Sequence, residues 1–86
     1  MKLITFKTRK DARAVLKALK GLIKQHGFVS LMDYYDLCDA QSTYTDDKFG
    51  WTSLLFAHAK RLSINEYVII FPVKPFRIKM EEKNGN

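Results

Sequence analysis

The chain has 86 residues, 47% of them hydrophobic and 13% aromatic, and carries a formal net charge of +6. That composition excludes a disordered basic tail and points to one small domain, its core near the lower limit for folding alone. A single cysteine, Cys38, excludes an internal disulfide framework and a multi-cysteine metal site, and it fits a reducing compartment.

Leu3, Ile4 and Phe6 form a short candidate strand within Lys2–Lys7. Thr8 then reads as an N-cap with Asp11 three residues on, and the first helix is expected from about Arg9 to His26. Gly27 suits the left-handed position that ends a helix, with Phe28 following for the accompanying hydrophobic contact. Lys10, Arg13, Lys17, Lys20 and Lys24 recur on one side of this helix. Ala12, Val15, Leu16, Leu19, Leu22 and Ile23 fall on the other. The first 26 residues hold eight cations against the one acid Asp11, so no Glu or Asp at i+4 neutralises the stripe locally.

Ser30 caps a second helix, with Asp33 in the capping-box position and Leu31, Tyr34, Tyr35 and Cys38 at i, i+3, i+4 and i+7. It is expected to end near Asp39 or Ala40. Gln41 to Gly50 is polar and reads as a loop. Trp51 to Leu62 fits either a helix or a helical turn followed by a strand from Ala57 to Ser63. The second reading is favoured, because the strand Tyr67–Phe71 needs a neighbouring arm, with Asn65 and Glu66 as the turn. Pro72 and Pro75 then allow at most a short edge strand through Phe76 and Ile78. The single domain is expected to span residues 1–80, with a polar tail over 81–86.

The segment Tyr44-Thr45-Asp46-Asp47-Lys48-Phe49-Gly50-Trp51-Thr52 resembles a Y-T-D-x-K-aromatic-G-W-T motif of small bacteriophage and prophage proteins. In those proteins it similarly follows a D-x-Y-D-L helix, here Asp33 to Leu37, and precedes an aromatic-V-hydrophobic strand with prolines, here Tyr67 to Pro75. The likeness runs from about Thr8 to Pro75. The chain departs from the pattern between Leu54 and Glu66, which is more apolar and lacks a turn glycine. The resemblance implies a phage origin and, the family being functionally uncharacterised, carries no biochemical activity over to this chain.

Charge is laid out basic, acidic, basic. Residues 27–58 set Lys48 against Asp33, Asp36, Asp39, Asp46 and Asp47, and residues 59–86 hold six cations against three acids. Either the acidic middle folds beside the first helix and quenches it, or the signs separate and leave a positive face for an anionic partner. On the second reading the five stripe cations bind the phosphate backbone of nucleic acid, with Lys74, Arg77 and Lys79 adding charge. Four of the five are lysines, so base reading is expected to be weak. Tyr44, Phe49 and Trp51 form a second candidate, a partner surface, set against the reading in which Trp51 anchors the loop to a small core.

The aspartates lack the alternating pattern of a calcium loop, so no metal is expected. His26 and His58 stand alone, and Cys38 on the apolar face of the second helix reads as core. No nucleophile–base set and no phosphate-binding glycine loop is visible, so no enzyme activity and no cofactor is expected. No apolar run approaches the roughly 18 residues of a membrane span, and Met1–Phe6 is too short an apolar stretch for a leader. The helix has no Trp or Phe on its apolar face to lie on a membrane. A cytoplasmic location is expected, that of the host cell if the protein is phage-encoded. The expected fold is α+β: an antiparallel helix pair on a small antiparallel sheet made of a β-hairpin and the short N-terminal strand, in a winged-helix-like arrangement. The expected function is non-enzymatic nucleic-acid binding. An inhibitor of a host enzyme or defence complex, bound to an acidic host protein, is the alternative.

Overall fold

Thr8 is extended at φ −133° and ψ 156°, and its hydroxyl accepts the Asp11 N–H at 3.0 Å, which starts helix α1 at Arg9. The computed structural model describes residues 1–78, so the polar tail and Lys79 lie outside the described residues. Helix α1 (Arg9–His26) ends where expected. Gly27 sits at φ 86°, and its N–H bonds to the Ile23 carbonyl at 2.7 Å. Ala12, Leu16 and Leu19 are buried along its inner face.

Strand β1 (Val29–Ser30) leads without a loop into helix α2 (Leu31–Leu37). Ser30 and Asp33 close a reciprocal capping box, each backbone N–H held by the other's side chain at 3.0 and 3.1 Å. Helix α2 stops two or three residues short of the expected end. Asp39 enters the left-handed region at φ 57°, its N–H bonds back to Asp36, and the Ala40 N–H reaches the Tyr35 carbonyl at 2.8 Å. These paired bonds satisfy the last carbonyls, so the chain turns away.

The segment expected as a loop carries structure. A 3-10 turn (Tyr44–Lys48) is tied by the Asp46 carboxylate accepting the Thr43 N–H at 2.8 Å. Strand β2 (Phe49–Trp51) follows. It is the middle strand of an antiparallel sheet with β1 on one side and β5 (Phe76–Arg77) on the other. This second sheet was not expected. Strand β5 has the edge position that the flanking prolines require.

Strands β3 (His58–Ser63) and β4 (Glu66–Ile70) form the expected hairpin, so the turn-plus-strand reading of residues 51–62 is the one observed. Asn65 supplies the left-handed turn residue at φ 60°, where an asparagine replaces the usual glycine. The expected N-terminal strand shrinks to one pairing. Phe6 and Tyr67 exchange two backbone hydrogen bonds of 2.7 Å, and the segment then passes at once into the Thr8 cap.

The architecture is α+β, two helices with two small antiparallel sheets. Its core joins Ala12, Leu16 and Leu19 to Val29, Leu31, Tyr34, Tyr35, Trp51, Leu54, Ala57 and Ile69. Aromatic geometry links the two sheets: Trp51 of β2 stacks on Phe71 at 4.5 Å, and Tyr34 of α2 meets Phe71 edge-on at 5.2 Å.

Candidate functional site

All five stripe cations of α1 are exposed. They do not point straight away from the core, however. At 100° per residue the stripe lies on the Leu16 side of the helix, and there it borders the first hairpin strand. Arg13, Lys17 and Lys20 line an open cleft together with Leu16, Ala57, His58 and Ala59, about 470 Å³ in volume. Leu16 and Ala57 are buried and Ala59 is half-buried, so they make an apolar floor between basic walls. Lys60 and Arg61 are exposed farther along β3. The His58 Nδ1–H donates to the Phe56 carbonyl at 3.0 Å.

Among the described residues no carboxylate lines this cleft. Asp33 and Asp46 each turn one carboxylate oxygen to a backbone N–H, that of Ser30 and that of Thr43. Among the described residues, no side-chain hydrogen bond joins a stripe cation to an acid. The aspartates of α2 therefore do not close on the walls that face β3.

The structure thus brings together three of the five stripe residues. Lys10 and Lys24 stand outside the cleft walls, nearer the two ends of α1. Arg9, beside Lys10 in sequence, lies over the Tyr67 ring at 5.2 Å. Arg77 borders a separate hollow with His26, Gly27 and Phe28 at the C-terminal end of α1, and Lys74 is exposed.

Compared with protein-family models, with curated proteins and with solved structures, the chain matches none.

The second set of candidate residues does not form one surface, and Trp51 has to be withdrawn from it. Trp51 is 0% exposed, stacked on Phe71, and its indole N–H donates to the Val73 carbonyl at 2.7 Å. A small core needs its largest side chain inside. Tyr44 is 76% exposed with Lys48 over its ring at 5.7 Å, and Phe49 is at the margin of exposure.

An apolar cavity of about 330 Å³ opens between the Thr52–Ala57 segment and the Phe71–Phe76 segment, a feature that sequence reasoning missed. Trp51 and Phe71 line it, and the exposed side chains Leu55, Phe56, Val73 and Phe76 border it. The available signal was the run Leu54-Leu55-Phe56, of which only Leu54 turns inward.

Among the described residues no group of three or more His, Cys, Asp or Glu side chains is placed to hold a metal ion, and no helix is long and apolar enough to cross a membrane. Burial pushes the Cys38 thiol up to about 11. The Tyr34 hydroxyl is raised as well, first by burial and then by the neighbouring Cys38 and Tyr35. A raised value means that the folded state holds the proton more tightly than the unfolded chain does. The contribution is therefore intact below the ordinary thiol range and is lost as pH rises toward about 11. Urea midpoints should hold steady through neutral pH and fall in that alkaline window, and Cys38→Ala should flatten the first part of the fall.

Proposed function

We propose that this chain is a small, non-enzymatic binding protein of phage type that grips nucleic acid by its phosphate backbone, in the cleft between α1 and β3. The observation that carries this reading is the convergence of Arg13, Lys17, Lys20 and His58 on one cleft, with no carboxylate in its walls among the described residues. Cations held at fixed spacing along a helix attract a polyanion and release its condensed counterions. Lys60 and Arg61 add exposed positive charge to the adjoining strand, one on each of its faces. The lysines act as point charges rather than forks, so binding tolerates any sequence.

Titration of a generic duplex and a single strand across a salt series tests this. Three neutralised phosphates correspond to a slope of log K on log salt of about −2.7 for the duplex and about −2.1 for the strand. Reversing both Lys17 and Lys20 to Glu should abolish binding at moderate salt. Each lost contact lowers the slope by about 1. Both side chains are exposed, so the double variant should keep the circular dichroism and melting curve of the parent. Absence of binding by the parent at low salt would remove the reading.

A further inference from the structure

We propose that the preferred ligand is a single strand, and that one unpaired base enters the apolar cavity beside the cleft. This rests on the backbone-binding reading and adds to it what the end of the cleft does. The cleft and the cavity are neighbours that share a wall at Ala57. Lys20 borders the cleft and also a small hollow with Leu54 and Leu55, which are cavity residues as well. A phosphate held at Lys20 therefore lies beside the mouth of the cavity.

The mouth has an unusual chemistry for a soluble surface. Leu55, Phe56, Val73 and Phe76 are 72, 74, 57 and 44% exposed, and they gather around a single opening. Clustered exposed apolar groups mark a binding site, since leaving them in water costs free energy that a monomer has no reason to bear. The Ser53 hydroxyl accepts the Leu55 N–H at 3.3 Å, a local turn at the point where Leu55 and Phe56 project outward. The volume of about 330 Å³ is at the lower end for ligand sites and suits one planar group.

Charge complementarity selects the occupant. A planar, weakly polar group flanked on both sides by anions is what a basic cleft beside an apolar hole accommodates, and a nucleotide in a strand has that form. Aromatic side chains beside a positive groove are the usual means of holding single strands, because every base has a π-face. The one indole donor near the cavity is committed to Val73, so Trp51 has no free donor for a base edge, and the lining is otherwise mostly apolar. A duplex keeps its bases stacked inside and reaches the cleft alone.

The test uses oligothymidine, its duplex with oligoadenine, and a strand of equal length with abasic sites, each titrated by anisotropy and by the fluorescence of Trp51, the sole tryptophan. Oligothymidine should bind more tightly than the duplex and quench Trp51, while the abasic strand binds without quenching. Phe56→Ala, at a side chain 74% exposed, should fold normally, weaken oligothymidine by roughly tenfold and leave the duplex unchanged. Equal binding of strand and duplex, both untouched by Phe56→Ala, would overturn the base cavity and leave the cleft reading standing. Binding unaffected by the Lys17→Glu and Lys20→Glu pair would overturn both. If an acidic peptide with an aromatic anchor quenches Trp51 and no oligonucleotide does, the cavity belongs to a protein partner and the proposal fails.

Discussion

Gly50→Ala should lower the urea midpoint sharply and cost the domain about 3 kcal/mol or more. An added Cβ would stand 1.9 Å from the Val29 carbonyl oxygen, 2.7 Å from the Ser30 Cα and 2.8 Å from the Ile78 Cδ1. The last of these can rotate away, but the first two are backbone atoms of β1, and β1 is fixed at both ends. Val29 is fully buried, and Ser30 pairs with Gly50 while also capping α2. One methyl therefore forces β2 from β1, disturbs the α2 cap and loosens the strand that holds Trp51. Overpacking of this kind costs about 3 kcal/mol or more. Against a total near 5–15 kcal/mol, with a chain this short toward the low end, that is up to about half of the margin. A urea midpoint within error of the parent would show that β1 and β2 are not packed as described. Gly27 offers the contrast: nothing lies near its missing Cβ, and it is there for its φ of 86° alone.

What the sequence made legible follows from where the signals are local. Both ends of α1 were readable because Thr8 and Gly27 flank an unbroken apolar period, and each satisfies backbone groups within four residues of itself. The start of α2 was readable on the same grounds, from Ser30 and Asp33. Its end was not, because Asp39 rather than a glycine takes the left-handed position, and aspartate there carries no clear signal. The hairpin was recoverable because β4 has a β-branched run that demands a partner. The β1-β2-β5 sheet was invisible: strands of two or three residues show no alternation, and Gly50 pairs with Phe76 across 26 positions of chain.

The site divides in the same way. Periodicity alone identified the cations of α1, since charge and spacing are properties of the helix itself. What they face is a tertiary fact. The stripe sits on the Leu16 side because Ala12 and Leu19 define the buried direction, and the cleft exists only because the hairpin packs there. The apolar cavity depends on two segments some twenty residues apart, one bent by Ser53 and the other by Pro72 and Pro75, so no window of sequence contains it.

Trp51→Ala should cost about 3–5 kcal/mol and Trp51→Phe much less, and the difference separates an anchoring role from a recognition role. Trp51 is at once the middle strand's inward side chain, the partner of Val29 across β1, and the ring on which Phe71 stacks with planes inclined by 13°. Phe71 in turn receives Tyr34 from α2 at 74°, so one ring connects β2, the end of the hairpin and the second helix. Alanine removes that connection and leaves a cavity the surrounding strands are too short to close. Phenylalanine keeps the stack and loses the indole bond to the Val73 carbonyl, worth about 1 kcal/mol. Denaturation by urea should therefore rank the parent first, Trp51→Phe close behind and Trp51→Ala far below, with Trp51→Phe still binding oligonucleotides through the cleft. Were Trp51 instead an exposed reader, alanine would leave the midpoint in place and abolish binding alone. The 2.7 Å bond to Val73 also fixes the segment that carries Phe76, so the anchor inside the core sets the width of the cavity outside it.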